Sequence, residues 1–542
     1  MKNHIDRKFS KISDDKYFNT KIGIRHTLLR IVNSEDDITI FGFLILRYND
    51  SNISKDIYFQ LGKKQYPLNP ILSLVNNSRM KICFYKVQIP YEDVLHMQVH
   101  NPLYLSSTNK KGFGFMRKLA FILFPRRSLL LHGPIKKLRD LNTSIFLRQG
   151  RTNHIYITAR EINQTDEHIE QLKIFLAFVL SRLLFFKKVI LLYEKQCEKY
   201  EESASVVYEK LLDMGYRNVY FILGKDGQSK YPVPENYSKD IVRRFSFEHY
   251  LRFFQAKIFL SSETPYHAVE LRTLSQFIHF KLRYMKYKYV FLQHGVMYMI
   301  SLDAETRGTF RYGSIFKDNS RIVVSSKLEA KHFIEYGNFP RRNLLISGLP
   351  KFDKNIRYDD ADKIVIMPTW RPWEFTDSRI RPETTKYYKM IQEMFDAVPS
   401  ELKSKVVVLP HPLIIETMKG TTIGQYFPKE LKYEEALRSS RLLITDYSSI
   451  AYDAFDRGSN VIFWWKEKDD CMKEYKGHLM LNKSNVFGDV VYNNEELRKS
   501  IIHNYNSEQK ASYIEKFKKI VEFSDRKNTE RLIKMLKKDK FL

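Results

Sequence analysis

Near the C-terminus an apolar run, Leu442-Leu443-Ile444, breaks into Thr445-Asp446-Tyr447-Ser448-Ser449 and continues as Ile450-Ala451-Tyr452-Asp453. This reads as a strand, a polar turn and a helix with two hydroxyls at its start. The first amides of a helix lack intrahelical partners, so an anion or a capping hydroxyl is accommodated there. Alone, the segment is equally an ordinary Asp/Ser cap after a buried strand. Three other segments repeat the order of apolar run, then break. They are Tyr289-Val290-Phe291-Leu292 before Gln293-His294-Gly295, Ile364-Val365-Ile366-Met367 before Pro368-Thr369-Trp370-Arg371, and Val406-Val407-Val408-Leu409 before Pro410-His411-Pro412. Each run reads as a parallel strand buried on both faces. Ligands of open α/β sheets bind outside the carboxyl ends of the strands. Strand ends carrying two histidines, an arginine and paired serines therefore predict one composite site.

From residue 188 onward strands and helices alternate. Val189-Ile190-Leu191-Leu192-Tyr193 opens the series, a helix through Val206, Val207, Leu211 and Leu212 follows, and Val219-Tyr220-Phe221-Ile222-Leu223 is the next strand. The alternation predicts an α/β chain with doubly wound parallel sheets, restarting at Lys363. The stretch from about 510, with Ile514, Phe517, Ile520, Val521, Leu532 and Met535, reads as helices that cross back to the first lobe. Residues 1–110 read as a small β-rich N-terminal domain, with runs such as Thr39-Ile40-Phe41-Gly42-Phe43-Leu44 bounded by Asn, Ser and Asp turns.

These motifs resemble the CDP-glycerol glycerophosphotransferase family, the polymerases and primases of teichoic acids and related capsule polymers. Gln293-His294-Gly295, Gly348-Leu349-Pro350-Lys351-Phe352-Asp353, Pro368-Thr369-Trp370-Arg371, His411-Pro412, Thr445-Asp446-Tyr447-Ser448-Ser449 and Asp453 carry the resemblance, in the family's order, over residues 188–540. It implies two Rossmann-like lobes in a GT-B arrangement: residues 188–345 on the acceptor side with His294, and 346–542 binding the CDP-polyol. The implied reaction moves glycerol phosphate or ribitol phosphate from CDP-glycerol or CDP-ribitol to a hydroxyl of a lipid-linked or polymer acceptor, releasing CMP. A GT-B glycosyltransferase using a nucleotide sugar is the alternative. A hydroxyl needs a base with a pKa near 7, which makes His294 the candidate general base, and His411 can donate to the departing phosphate. Gly295, Arg371, Thr445, Asp446, Ser448, Ser449 and Asp453 complete the expected substrate contacts. Val296-Met297-Tyr298-Met299 stands where the family often has Thr-Pro-Leu-Lys, so the acceptor is left open.

Composition narrows the partners. A net charge of +28, from 90 Lys and Arg against 62 Asp and Glu, calls for an anionic partner. The cations are spread along the chain and no RRM, KH or zinc-finger signature occurs, so nucleic acid is not expected. No GxxxxGK[ST] or GxSxG element is present, no GxGxxG follows a strand, and no Asp-x-Asp sits after a strand where a divalent ion would bridge a diphosphate; no cofactor and no metal are expected. Cys83, Cys197 and Cys471 are too sparse for a disulfide framework. Met1-Lys2-Asn3-His4 opens without an apolar stretch and no window reaches about 20 apolar residues, so neither a signal peptide nor a membrane span is expected. Residues 111–187 are basic and aromatic, notably Arg117, Lys118, Arg126 and Arg127 and the stretch from Leu172 to Lys188. They are read as an amphipathic, membrane-associating region, placing the protein peripherally on the anionic cytoplasmic face of the membrane.

Overall fold

The computed structural model of the chain describes residues 23–47, 56–61, 64–95, 101–108, 114–118, 136–149, 155–184, 188–273, 275–307, 310–369, 371–374, 378, 381–411, 414–428 and 433–542. The chain divides into two compact units, Met1–Phe175 with Arg272–Tyr284, and Leu176–Leu271 with Met285–Leu542.

The first unit is built on antiparallel strands. One sheet has the order Gly23–Asn33, Asp37–Arg47, Met80–Pro90, Asn69–Asn76. Strict alternation explains it: Ile38, Ile40, Leu44 and Leu46 point into the core against Cys83, Tyr85, Val87 and Ile89, while the intervening residues face outward. The β-rich part runs past the expected boundary at residue 110. Gly114–Lys118 pairs antiparallel with Asn101–Thr108, and Thr143–Gln149 pairs with Ile155–Glu161. The reason is again period two, with Ile145, Leu147, Ile155 and Ile157 buried. The basic region read as amphipathic and membrane-associating thus begins in a strand, with Arg117 and Lys118 in Gly114–Lys118; residues 119–135, with Arg126 and Arg127, lie outside the described residues. Most of the described part of the stretch from Leu172 falls in the helix His168–Leu183. Among the described residues no helix is long and apolar enough to cross a membrane.

The second unit holds two parallel α/β lobes. The first is a seven-stranded sheet ordered Ile241–Arg243, Val219–Leu223, Val189–Leu192, Ala256–Ser261, Lys288–Phe291, Ser320–Val324, Leu344–Ile346. The second is five-stranded: Val406–Val408, Lys363–Ile366, Ser440–Thr445, Asn460–Trp464, Asp489–Val491. Their strands are buried on both faces because helices cover both. Ile364, Ile366, Leu442, Ile444 and Trp464 pack under the helices Lys386–Asp396 and Asn494–Tyr505. The alternate residues Val365, Leu443, Val461 and Phe463 join Tyr452, Phe455 and the first lobe's Val290, Leu292 and Val323 in one continuous cluster.

The C-terminal helices Ala511–Ile520 and Asn528–Lys538 return to the first lobe, as the sequence predicts. Ser325 Oγ donates to the Ile520 carbonyl at 2.6 Å, and Arg321 Nε donates to Asp539 at 2.8 Å. This is the two-lobe GT-B plan, and it brings the carboxyl ends of both sheets toward one cleft.

Candidate active site

The strand Lys288–Phe291 ends in Gln293-His294-Gly295. Across residues 289–302 every residue is buried except His294, which is exposed. A loop immersed in core holds one imidazole out to the cleft, and its backbone is fixed on all sides. Gln293 adopts φ 57° and its buried amide donates to the Val323 carbonyl. Buried Glu329 accepts the Met297 N–H at 2.7 Å and the Ser325 N–H at 2.5 Å. From the second lobe, the Tyr452 hydroxyl donates to the Tyr298 carbonyl at 2.5 Å. Lys351 Nζ donates to the carbonyl of His294 itself at 2.7 Å. Gly295 is required by closeness: a Cβ there would lie 2.9 Å from Ser449 Oγ.

Across the cleft, the ends of Lys363–Ile366 and Ser440–Thr445 are joined by a buried ion pair. Asp446 accepts Arg371 Nη1 at 2.8 Å, the Thr369 N–H at 2.7 Å and the Tyr447 N–H at 2.5 Å. Arg371 Nη1 also donates to the Thr369 carbonyl at 2.7 Å, and Nη2 faces Met390 Sδ at 3.3 Å. Burial works against the Arg371 charge, but Asp446 outweighs it and holds the guanidinium pKa above its usual value. Thr445 Oγ1 donates to the Met367 carbonyl at 2.7 Å. Thr445, Asp446 and Arg371, expected as substrate contacts, therefore form the framework beneath the turn, with all three buried. Ser448 and Ser449 lie above that framework, half-buried. Ser449 makes no cap bond, and Ser448 Oγ accepts the Ile450 N–H only at 3.4 Å. The following helix, Ile450–Asp456, has 7 residues. It is too short to be an anion seat through its dipole.

His411 follows Val406–Val408 and is half-buried. Burial first, then the Lys195 ammonium, pull its pKa down to about 4, so the imidazole is neutral at physiological pH. Lys195 belongs to the first lobe, in the turn after Val189–Leu192, so its field crosses the cleft. Asp453, expected as a substrate contact, meets Lys351 at 2.5 Å, with side-chain exposures of 4% and 13%. Glu202 and Glu263 place negative charge near His294. A cavity of about 290 Å³ lies behind the pair, lined by Glu202, Glu209, Lys351, Asn355, Asp453 and Arg457 among others. Trp370 and Pro412 lie outside the described residues.

The structure thus brings together His294, Gly295, Ser449 and Asp453, and adds residues that the sequence reading did not single out. Lys351 sits in the Gly348–Asp353 motif, without an assigned role in the sequence. Glu329 carries a readable signal, Ser326-Lys327-Leu328-Glu329, the Ser-x-x-Glu of a capping box. Ser326 does cap the Glu329 N–H at 3.1 Å, while the Glu329 carboxylate turns to the His294 loop.

The family described as CDP-Glycerol:Poly(glycerophosphate) glycerophosphotransferase matches residues 175–538. The minor teichoic acid biosynthesis protein GgaB of Bacillus subtilis (strain 168) is 24% identical over 378 residues, which is 64% of this chain and 40% of that protein. The chain thus spans about two fifths of the length of that relative. Among solved structures, the wall teichoic acid polymerase TagF is similar with a TM-score of 0.49 and 15% identity, over 68% of this chain and 93% of that one. A UDP-GlcNAc 2-epimerase from Methanocaldococcus jannaschii has a TM-score of 0.37 and 11% identity, over 65% of this chain and 100% of that one.

Proposed function

Because the chain belongs to the CDP-Glycerol:Poly(glycerophosphate) glycerophosphotransferase family, we propose that it transfers a polyol phosphate, glycerol phosphate first among them, from a CDP-polyol to a hydroxyl of a teichoic-acid-like polymer. In this reading His294 takes the proton of the acceptor hydroxyl as its oxygen attacks the distal phosphorus. The bond from that phosphorus to the bridging oxygen breaks, and CMP leaves with the electron pair. Ser448 and Ser449 hold the diphosphate, and neutral His411 donates a hydrogen bond to the leaving phosphate. Fixed donors at developing charge supply much of such catalysis. The observation that carries the reading is the one exposed imidazole on an otherwise buried loop, seated against Ser449 of the opposite lobe.

Arg371, Asp446 and Thr445 act beneath the substrate as framework, and Asp453 acts through Lys351. The N-terminal lobe takes the acceptor and the C-terminal lobe the donor. The test is nucleotide release from CDP-glycerol, CDP-ribitol and a panel of nucleotide sugars, with a glycerol-phosphate oligomer as acceptor. CMP release from a CDP-polyol, falling by about 10²- to 10⁴-fold in His294→Ala, is expected. Turnover only with a nucleotide sugar would move the chain to glycosyl transfer and overturn the donor assignment.

Attachment to an anionic membrane surface is part of the same proposal. The helix His168–Leu183 exposes Ile169, Leu172, Leu176, Val179 and Leu183 at alternating spacings of three and four, with Phe175 beside them. Ile174, Ala177 and Ser181 occupy its buried side, and Arg182 is exposed at its end. A continuous apolar stripe next to cations suits the headgroup region of a bilayer on the nucleotide-containing side, where a lipid-linked acceptor is presented.

A further inference from the structure

We propose that Arg307 is an anion-binding residue of this site, taking a phosphodiester of the acceptor next to the hydroxyl that reacts; this rests on the polyol-phosphate reading above. Arg307 ends the short helix Glu305–Arg307 on the chain that leaves His294. That chain is clamped to the second lobe. The Ser301 N–H donates to the His478 carbonyl at 2.9 Å, the Met480 N–H donates to the Met299 carbonyl at 2.8 Å, and Glu305 pairs with Lys476. Ala304 packs so tightly on Gly477 that a Cβ there would lie 2.6 Å from its methyl. Arg307 is thereby held in the seam between the lobes, partly buried, near the Tyr452 and Tyr475 phenols and the His332 imidazole.

Its electrostatic situation is the opposite of its neighbour's. Arg371 also acts on Tyr475, but Asp446 neutralises it at 2.8 Å and Glu467 lies 3.8 Å away. Among the described residues Arg307 has neither an ion pair nor a side-chain hydrogen bond, and only the two phenols oppose the burial that pulls its pKa below that of a free guanidinium. A guanidinium cannot escape by losing its proton, so the desolvation cost stands until an anion meets it. Its planar fork matches a phosphate edge. The side matters as well. Arg307 belongs to the acceptor lobe and follows the candidate base, whereas Ser448 and Ser449 face the donor. In a polyol-phosphate chain the last phosphodiester is separated from the terminal hydroxyl by a single polyol, so a chain presenting that hydroxyl to His294 carries a phosphate close behind it.

The test uses the full chain with Arg307→Met, which removes the charge at similar length, and Arg307→Lys, which keeps the charge but loses the fork. Binding of a fluorescent glycerol-phosphate oligomer is read by anisotropy at two salt concentrations, with a phosphate-free oligoglycerol as control. CDP-glycerol binding is read by calorimetry, and acceptor KM by CMP release. For Arg307→Met the oligomer Kd and acceptor KM should rise about 10- to 100-fold, the range for losing a hydrogen bond to a charged group. CDP-glycerol affinity should stay within about twofold, and Arg307→Lys should fall between, covering the case in which the methionine variant does not fold. A loss confined to CDP-glycerol would assign the guanidinium to the donor diphosphate and overturn the acceptor role. Unchanged affinities for both in folded variants would overturn the anion site altogether, whatever the turnover of the parent. A parent that binds the oligomer through Arg307 yet releases no CMP would instead sink the transferase reading and leave the anion site standing.

Discussion

The Arg371–Asp446 pair decides whether this arginine is framework or ligand, and its burial fixes the size of the effect. With Arg371 3% and Asp446 0% exposed, removing either partner strands a charge in the core. Breaking a buried pair costs about 3–5 kcal/mol, much of it the penalty on the partner left behind. Arg371→Met leaves a carboxylate that still has the Thr369 and Tyr447 amides, so about 3 kcal/mol is expected. Asp446→Asn leaves a guanidinium with the Thr369 carbonyl and the distant Glu467 and also costs the turn one strong acceptor, so about 4 kcal/mol is expected. The double variant strands no charge, and its cost should fall below the sum of the singles by about 2–3 kcal/mol. Urea unfolding followed by tryptophan fluorescence suits this lobe, because all 4 tryptophans, Trp370, Trp373, Trp464 and Trp465, belong to its sequence. CMP release should drop by about 10²-fold in each single variant, since losing the Arg371–Asp446 bond lets the turn bearing Ser448 shift by about 1 Å. Additive stabilities would refute the pairing as the source of the effect. Unchanged stability with CDP-glycerol affinity lost in Arg371→Met would make Arg371 a direct ligand and overturn the framework assignment.

Three further outcomes follow from the geometry. Lys351→Met frees the His294 carbonyl and strands Asp453; kcat should fall about 10- to 100-fold, with CDP-glycerol Kd little changed and Lys351→Arg restoring most of the rate, whereas a parallel loss of Kd would refute positioning. His249 accepts the Phe245 N–H on Nδ1 at 3.0 Å and bonds the Ala268 carbonyl through Nε2 at 2.7 Å, and burial pushes its pKa from 6.5 to about 3. Its contribution to stability is therefore full above pH 6.5 and is lost as pH falls toward 3, by up to about 1.4 kcal/mol per pH unit. His249→Gln can make both bonds without titrating, so it should flatten the acid limb of a stability-versus-pH curve, and an unchanged slope would refute the assignment. Replacing Leu172, Leu176 and Val179 by serine should abolish co-sedimentation with anionic vesicles while CMP release to a soluble acceptor persists, and retained vesicle binding would remove the helix as the anchor.

The sheets were legible because parallel strands announce themselves as unbroken apolar runs: Val189–Leu192, Lys288–Phe291, Lys363–Ile366 and Ser440–Thr445 all stand where Val, Ile, Leu or aromatic residues cluster. The polar ends of such runs, Val406–Val408 among them, carry His294, His411 and the serine turn. The length of the β-rich part was not legible, because strands such as Lys136–Leu138 are short and cationic and are specified by pairing with Thr143–Gln149 rather than by their own pattern. The division between framework and ligand was invisible for a different reason. Nothing local distinguishes an arginine that meets phosphate from one that meets Asp446, since the partner arrives from 75 positions away. Glu329 illustrates the same point, as a capping-box residue spent on a loop 32 positions earlier.

One helical face explains how the two lobes act together. Ser449, Tyr452 and Asp453 lie three and four positions apart, so the short helix Ile450–Asp456 with its N-cap presents them along one side. Ser449 abuts Gly295, Tyr452 holds the Tyr298 carbonyl, and Asp453 reaches the His294 carbonyl through Lys351. The helix that begins at the serines is therefore also the surface on which the histidine loop rests. In the proposed reading, a phosphate held by Ser448 and Ser449 rests on the same helix that supports the His294 backbone. Seating the candidate base and the serine turn against a single short element fixes their separation, which is the condition that transfer between two lobes most needs.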